Sequence, residues 1–420
     1  TAGDAYANLR QRNQFATLTN IGLAALIWAS LHWGARQGPM PAVDTVHSEK
    51  PHGRALSAAS LAAAALLAVG NAASSSRTGL VQLVVLIVLF AFWGGWRLPK
   101  VRRILLAAAL AYLAGTVALP VLAGLDPSST GLLARLHDAG PACASRLVLW
   151  RNVLHLISLR PWLGWGWGEL DYAHFTTLYD GPRFCEILDN AHNLPLHLAV
   201  ELGVPVAVLV CGTGLWLAWR AKPLREQDPV RQMAWSVLAV IVLHSLLEYP
   251  LWYGPFQMAF VVCLVLLGRP PASMVPTETP STKWALAHMG SAWMAIILIA
   301  FVAYASWDYH RISQIFLPPD SRAQQYRDNT LAKIRGSWLF HSQVSFAEFV
   351  TTPLTRDNAA HLNVLAHQLL HYSPEARVAE KLIESAVMLG RDDEALYYLA
   401  RYREAFPAEH ARWAKRQQPG

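Results

Sequence analysis

The stretch LVQLVVLIVLFAFWGGW, residues 80–96, is followed at once by RLPKVRR, residues 97–103. The first stretch is apolar except for Gln82, whereas the second is strongly basic. A helix that crosses a membrane needs roughly 20 mostly apolar residues, and basic residues collect in short cytoplasmic loops. The two stretches together predict a membrane-spanning helix that ends in a cytoplasmic loop.

The composition of the whole chain agrees with this interpretation. Of its 420 residues, 54% are hydrophobic and 15% are charged, whereas a soluble domain usually carries about 25% charged residues. The net charge is +7, but the basic residues lie in short loops between apolar runs, which indicates membrane topology and not a nucleic-acid surface. Because the chain starts at Thr1 and lacks the features of a signal peptide, we expect that an N-terminal part is missing.

Eight apolar runs are candidates for spanning helices, which predicts an all-α, polytopic helical bundle. The seventh run is short for a span. The runs are Phe15–Gly34, Leu56–Ala73, Leu80–Trp96, Ile104–Leu125, Leu194–Trp219, Met233–Glu248, Phe256–Leu267 and Trp284–Trp307.

The basic loops predict the orientation. Loops with Lys or Arg lie before the second run, after the third, after the fifth and before the eighth, so they share one side if every run spans. The positive-inside rule makes that side cytoplasmic. We therefore expect a multi-pass protein of the bacterial inner membrane with its active face in the periplasm. The predicted division is residues 1–125 as four spans, 126–193 as a large periplasmic loop, 194–307 as four more spans, and 308–420 as a periplasmic helical domain.

The C-terminal tail has a helical pattern. Small and apolar residues recur as in a helix–turn–helix repeat of the tetratricopeptide type. This pattern favours a packed helical domain, and more specifically a surface that binds a protein partner. The residues are Leu382, Ala386, Gly390, Ala395, Leu399 and Pro407.

The four cysteines fall into two classes. Cys211 and Cys263 lie in predicted spans and are interpreted as small apolar packing residues. Cys143 and Cys185 both lie in the predicted outer loop, where they pair if the compartment is oxidising, or stay free thiols.

The outer loop holds the densest group of polar and aromatic residues. RLVLWR, residues 146–151, contains Arg146 and Arg151; PWLGWGWG, residues 161–168, contains Trp165 and Trp167. The tryptophans suit sugar rings, or equally an anchor in the membrane interface. His192, in DNAHN at residues 189–193, can take a proton near neutral pH and is a candidate general base, with a capping or interfacial role as the alternative.

Two further polar groups are predicted at the same membrane face. Arg77 lies in the SRTG turn, where its planar guanidinium either binds a phosphate or snorkels to the interface. His244 and Glu248 lie four residues apart on one helical face, inside a span where ionisable groups indicate function or a structural pair. With Arg146, His192 and Tyr253, these groups suit an anionic lipid-linked sugar. The outer segments show no metal-binding motif, and no cofactor is expected.

These motifs together resemble a known family. SRTG at residues 76–79, Arg146-x-x-x-Trp150, RPWLGWG at residues 160–166 and DNAHN at residues 189–193 are similar to the O-antigen ligase and polymerase superfamily. Within it, NLRQRNQ at residues 8–14, DNAHNLPL at residues 189–196 and Glu248-Tyr-Pro-Leu-x-Tyr253 resemble the protein O-oligosaccharyltransferase branch, the PglL-like enzymes. The resemblance runs from about residue 8 to about residue 260, and because the family has about a dozen spans, the chain resembles its C-terminal part.

The resemblance implies a reaction. The donor would be an oligosaccharide on undecaprenyl diphosphate, and the acceptor a Ser or Thr hydroxyl of an exported protein such as a pilin. His192 would deprotonate or orient the acceptor hydroxyl, while Arg77 and Arg146, or Arg151 in its place, would hold the diphosphate. The other residues of these motifs would line the substrate pocket: Asp189, Asn190, Asn193, Glu248, Tyr253, His244, Trp165 and Trp167.

Other functions remain open at this level. Relatives that share the Arg and His motifs ligate the same donor onto lipid A core or polymerise repeat units; the Glu248–Tyr253 segment and the helical tail favour a protein acceptor. In a proton-coupled transporter His244 and Glu248 would relay protons, but the sequence shows no inverted repeats, which are typical of many transporters. A non-catalytic assembly protein whose tail recruits partners is the third alternative.

Overall fold

The structure is a computed structural model that describes residues 5, 9, 11–35, 51–126, 130–132, 142–268 and 282–417. Within these ranges the regular structure is entirely helical, which confirms the predicted all-α class. The helices are α1 (Arg12–Ala35), α2 (Pro51–Ala73), α3 (Arg77–Phe92), α4 (Pro99–Leu122), α5 (Arg146–Leu159), α6 (Leu170–Thr176), α7 (Leu194–Leu202), α8 (Val204–Ala221), α9 (Pro229–Ser245), α10 (Gly254–Gly268), α11 (Thr282–Ser313), α12 (Thr330–Ile334), α13 (His341–Thr351), α14 (Ala359–Leu370), α15 (Ala376–Met388), α16 (Asp392–Ala405) and α17 (Pro407–Gln417).

Five of the described helical segments are long and apolar enough to cross a membrane: Arg12–His32, Ala55–Ala73, Pro99–Leu122, Val204–Arg225 and Ala292–Phe316. Helices α3 and α10 are apolar but shorter, with 16 and 15 residues, and α9 has 17 residues. The multi-pass character is thus supported, whereas the eight-span count and its orientation stay predictions. Reporter fusions at Ser128 and Gly390 would test the orientation.

The predicted fifth span, Leu194–Trp219, needs a correction. It is not one helix but two, α7 and α8, separated by Gly203. Gly203 has a φ of +88° and a ψ of 157°, a conformation that glycine adopts readily and other residues rarely do. Pro205 follows in the first turn of α8, where its missing N–H is tolerated. The hydrophobic run predicted the helical content but not this break.

The described chain divides into two compact units. Unit 1 comprises Thr1–Ser145, Asn190–Ala199 and Gly203–Val275, and unit 2 comprises Arg146–Asp189, Val200–Leu202 and Pro276–Gly420. The four-part division predicted above stays a prediction.

Unit 1 is a bundle in which α1 packs against α2, α3 and α9, and α2 packs against α4. Its apolar core includes Leu23 and Ile27 of α1 and Leu86 of α3. Small residues permit the close approach of α2 and α4: a Cβ placed on Gly115 would lie 3.2 Å from Cβ of Ala72. Small residues at helix contacts are typical of membrane bundles, where association depends on close packing.

Unit 2 joins helix α6 to the helical tail. Phe175 of α6 is buried in the same core as residues of α14, α15 and α16. Arg401 of α16 donates from Nε to the carbonyl oxygen of Thr176 at 2.7 Å, and Tyr172 stacks on His371 with ring centroids 3.8 Å apart. The tail therefore forms a packed helical domain together with α6, whereas its tetratricopeptide character stays a prediction.

Candidate active site

The turn before α3 fixes the position of Arg77. Ser76 is the N-cap of α3: its Oγ accepts a hydrogen bond from the backbone N–H of Gly79 at 3.0 Å. This is the usual role of serine at a helix start, because the first N–H groups have no partner within the helix. Arg77 is the first residue of α3 and is exposed. A guanidinium at a helix N-terminus is a setting that favours an anionic ligand.

Two asparagines hold His192 in an unusual backbone conformation. His192 has a φ of +50°, the left-handed region that few residues other than glycine adopt. Its backbone N–H donates to Oδ1 of the buried Asn190 at 2.9 Å. Asn193 caps α7 through a bond from Leu196 N–H and donates from Nδ2 to the carbonyl oxygen of Leu246 at 3.1 Å. The backbone at residues 190–193 is therefore fixed on either side of His192 by the side chains of Asn190 and Asn193.

His192 and Glu248 form a hydrogen-bonded pair. The Nδ1 atom of His192 lies 2.7 Å from Oε2 of Glu248, and the exposed fractions of the two side chains are 22% and 9%. An ionised carboxylate only accepts hydrogen bonds, so the proton of this bond belongs to Nδ1. In the neutral imidazole Nε2 is then the atom that can accept a proton. This is the arrangement that a general base requires.

Tyr249 lies beside the imidazole, and Tyr253 lies behind Tyr249. Tyr249 contacts His192 edge to face, with ring centroids 4.9 Å apart and an interplanar angle of 81°. Tyr253 stacks on Tyr249 at 6.0 Å and 27°. Edge-to-face and offset contacts of this kind are favoured by the charge distribution of aromatic rings. They add an aromatic surface next to the pair, and Tyr253, a residue predicted for this site, contributes to it.

His244 lies in a different environment. It is fully buried, and its Nδ1 lies 2.8 Å from Oγ1 of Thr17 on α1. The predicted interaction between His244 and Glu248 consists of a backbone bond, from Glu248 N–H to His244 C=O at 2.8 Å, while the Glu248 side chain bonds to His192. His244 therefore belongs to a buried polar cluster between α1, α3 and α9 that includes Gln82.

Other predicted site residues belong to unit 2. Arg146 begins α5 and is half-buried, whereas Arg151 and Asp189 are exposed. The Trp165 indole donates to the carbonyl oxygen of Leu156 at 3.0 Å, and Trp167 is exposed. The roles of these residues in substrate binding stay predictions.

The guanidinium of Arg160 covers one face of the Trp165 ring at 4.1 Å from its centroid. A sugar would have to use the other face of that ring, so Trp165 has a structural role in addition to any part in binding.

Cys143 and Cys185 are both disulfide-bonded, while Cys211 and Cys263 are free thiols. The pairing of Cys143 with Cys185 stays a prediction, which peptide mapping under non-reducing conditions would test. Among the residues that the structure describes, no group of three or more His, Cys, Asp or Glu side chains is placed to hold a metal ion.

Sequence reasoning missed the residues that support the pair. Asn13 donates from Nδ2 to Oε1 of Glu248 at 3.2 Å, and Tyr249 flanks His192 as described. A signal was present: Asn13, Thr17 and Asn20 are polar residues at helical spacing in a mostly apolar helix, and such residues share one face. Polar side chains inside a membrane helix usually face a partner or a site.

Comparisons with protein families match three parts of the chain. The protein glycosylation ligase model matches residues 5–28, and the O-antigen ligase model matches residues 62–211. The model for the C-terminal part of a virulence factor membrane-bound polymerase matches residues 232–419. The first two matches include Asn13, Arg77 and His192, and the third includes Glu248.

Curated proteins give the same result at low identity. A general O-oligosaccharyltransferase of Acinetobacter baylyi is 23% identical over 305 residues, which are 68% of this chain and 48% of that protein. A protein of Rickettsia prowazekii named as a polysaccharide ligase is 25% identical over 38% of this chain and 40% of its own length, and one of Rickettsia typhi is 24% identical over the same shares.

The chain thus spans about half the length or less of these relatives. No solved structure matches it. The comparisons confirm the resemblance predicted from the motifs, to the O-antigen ligase and polymerase superfamily and, within it, to the protein O-oligosaccharyltransferases.

Proposed function

We propose that the protein transfers an oligosaccharide en bloc from undecaprenyl diphosphate to Ser or Thr hydroxyls of exported proteins, at the periplasmic face of the inner membrane. The observation that carries this proposal is the His192–Glu248 pair, with 2.7 Å between Nδ1 and Oε2. A hydroxyl is a weak nucleophile until a base takes its proton as the new bond forms. Nε2 of His192 is suited to that task because Nδ1 carries the imidazole proton and donates it in the hydrogen bond to Glu248, which leaves the lone pair of Nε2 to accept a proton.

The proposed reaction is a single displacement. The acceptor oxygen bonds to the anomeric carbon of the glycan while its proton passes to Nε2 of His192. The bond from that carbon to the diphosphate oxygen breaks, and undecaprenyl diphosphate leaves with the electron pair. Arg77 and Arg146, with Arg151 as the alternative to Arg146, would stabilise the charge that develops on the diphosphate, because planar guanidinium groups match phosphate oxygens.

The remaining predicted residues would shape the substrate pocket. Tyr249 and Tyr253 offer aromatic surface next to His192, which suits the apolar face of a sugar ring. Asn190 accepts a hydrogen bond from the backbone N–H of His192, and Asn193 ties the adjoining residue to Leu246, so both act on the position of His192. His244 lies in the buried polar cluster with Thr17, and we assign it a structural role. Asp189, Trp165 and Trp167 are proposed to contact the glycan.

An alternative acceptor is favoured by two of the family matches. The O-antigen ligase and membrane-bound polymerase models cover residues 62–211 and 232–419, and two relatives are named as polysaccharide ligases. With such an acceptor the same site would act on a hydroxyl of a lipid-linked saccharide. The donor, the base and the leaving group would be unchanged, so the two functions differ only in the acceptor.

The experiment that tests the proposal offers both acceptors to one donor. The chain is co-expressed with a pathway that makes an undecaprenyl-diphosphate-linked glycan and with a pilin-like acceptor, and the acceptor's intact mass is measured. We expect an increase by the mass of the whole glycan, which is absent with His192→Ala. A glycan on lipid A core or longer glycan chains, with an unmodified protein acceptor, would instead establish ligation or polymerisation. Consumption of no donor by a membrane-inserted chain would overturn the transferase assignment.

A further inference from the structure

Hydrogen bonds connect the first turn of α3 to the His192–Glu248 pair. The N–H of Gly79 donates to Oγ of Ser76 at 3.0 Å, and the Ser76 hydroxyl donates to Oδ1 of Asn13 at 2.7 Å. Nδ2 of Asn13 donates to Oε1 of Glu248 at 3.2 Å. Oε2 of Glu248 then accepts the bond from Nδ1 of His192. This series of hydrogen bonds thus runs from α3, the helix that begins with Arg77, to the candidate base His192, through residues that are distant in sequence.

The direction of each bond follows from the one before it. A backbone N–H can only donate, so it occupies a lone pair of the Ser76 oxygen and leaves the single hydroxyl proton for Asn13. The carbonyl side of the Asn13 amide must therefore face Ser76, and the NH₂ side must face Glu248. The reverse orientation of the amide would place an oxygen against a carboxylate oxygen, which is repulsive.

Asn13 is fixed in place by its own helix and by the adjoining polar cluster. Its backbone carbonyl oxygen lies 2.8 Å from Oγ1 of Thr17, one turn later on α1. Further along the same face, Nδ2 of Asn20 donates to the carbonyl oxygen of Gly79 at 3.0 Å. These contacts tie α1 to the first turn of α3 at both ends of the Asn13–Asn20 face. The backbone of Asn13 is thus held within α1, and the bond from Ser76 holds its side-chain amide toward Glu248.

From this geometry we infer that Asn13 is a positioning residue: together with Ser76 it orients Glu248 and so keeps the proton of His192 on Nδ1, with Nε2 open to the acceptor hydroxyl. The inference deepens the proposed function and rests on it for its catalytic meaning. Glu248 has two oxygens and each serves a different donor. Loss of the Asn13 donor removes one of the hydrogen bonds that hold the plane of the carboxylate, so that the plane can turn away from Nδ1.

Two substitutions separate positioning from packing. Asn13→Ala removes the amide, and Asn13→Asp keeps its shape but replaces the donor to Glu248 by an acceptor. The full chain is labelled with ¹⁵N-histidine, and the His192 signals are identified by their absence in His192→Ala. The tautomer is then read from the two ring nitrogens, without any need for transfer. Wild type should show the Nδ1–H form, and both Asn13 variants should show mixed tautomers or the Nε2–H form.

Transfer is measured in parallel, in two backgrounds. Asn13→Ala should lower the maximal transfer rate about tenfold and leave the half-saturating donor concentration unchanged, as expected for loss of one charge-assisted hydrogen bond. In a Glu248→Ala background Asn13→Ala should change the maximal transfer rate less than about twofold, because Asn13 acts on the reaction only through the Glu248 side chain, which is absent there.

The outcomes distinguish the inference from the function on which it rests. An unchanged Nδ1–H tautomer in both Asn13 variants would overturn the inference. An equal loss of transfer in both backgrounds would do the same, because it would assign Asn13 a packing role independent of Glu248. A changed tautomer with unchanged transfer would leave the positioning role standing and would instead contradict the use of His192 as the base.

Discussion

The substitution Glu248→Gln tests how much the carboxylate contributes to the site. The side chain keeps its size but loses its charge and one of its two acceptor oxygens. In the structure both oxygens are used, one by His192 at 2.7 Å and the other by Asn13 at 3.2 Å. A glutamine at this position can accept from only one of these donors and presents its NH₂ group to the other. If that group faces His192, the imidazole must accept at Nδ1 and carry its proton on Nε2, where it cannot act as a base.

The magnitude follows from the same contacts. A hydrogen bond to a charged group contributes roughly 1.5–3 kcal/mol, and a factor of ten in rate corresponds to about 1.4 kcal/mol. The pair is mostly buried, with side-chain exposures of 22% and 9%, so screening by solvent reduces this range only modestly. We expect Glu248→Gln to lower transfer by about 10- to 100-fold at saturating donor. The assay is glycosylated acceptor per unit of membrane-inserted enzyme, measured by intact mass.

Unit 2 offers a matched control. In the tail, His367 Nε2 lies 2.8 Å from Oε1 of Glu394, so Glu394→Gln makes the same chemical change in another His–Glu pair. That variant should transfer glycan within about twofold of wild type, because neither His367 nor Glu394 is assigned a part in the reaction. Wild-type transfer by Glu248→Gln, or an equal loss in both variants, would refute the reasoning.

Three further predictions address the rest of the molecule. Arg77→Lys and Arg146→Lys should both impair transfer, because Lys keeps the charge and loses the planar fork; wild-type turnover of either variant at limiting donor would make that Arg an interfacial anchor. Gly79→Ala should lower the free energy of unfolding by about 1–3 kcal/mol, because its Cβ would overlap side chains of α1 and α2. Gly212→Ala, which has open space around its Cβ, should have little effect. Equal melting temperatures of the two variants would contradict this prediction. Burial lowers the pKa of His174 to about 3, so its contribution to the free energy of unfolding should be complete above the unfolded pKa of about 6.5 and decrease as the pH falls below that value. The melting temperatures at about pH 7.5 and pH 5 should therefore differ less in His174→Gln than in wild type. Equal differences in the two proteins would refute this prediction.

The membrane character could be predicted because it depends on composition along the chain. The apolar stretch at residues 80–96 is helical up to Phe92, in a helix that begins at Arg77, so its apolarity predicted the helix, whereas its crossing of a membrane stays a prediction because α3 has only 16 residues. The break at Gly203 was not predicted. A glycine within an apolar run is compatible with a continuous helix, and only the packing of the chain selects the φ of +88° that ends α7.

The candidate site was predictable in part for a similar reason. DNAHN carries an ionisable residue at the end of an apolar run, which marked His192, and Glu248 was marked in the same way. Their direct bond was not predictable, because the residues are 56 positions apart and no local pattern encodes such a contact. Asn13 was overlooked because an amide has no titratable proton, and its value lies in its two partners, Ser76 and Glu248, which only the fold brings together.

The central claim is that Nε2 of His192, oriented through Glu248, takes the proton of the acceptor hydroxyl. The most direct measurement is glycosylated acceptor per unit of membrane-inserted enzyme for His192→Ala and His244→Ala, side by side. We predict that His192→Ala inserts normally and loses transfer by on the order of 10²-fold or more, the usual contribution of a general base. His244→Ala should instead reduce the amount of inserted protein, because His244 is buried and bonded to Thr17. Near-normal transfer by His192→Ala, together with a well-inserted but inactive His244→Ala, would contradict the account.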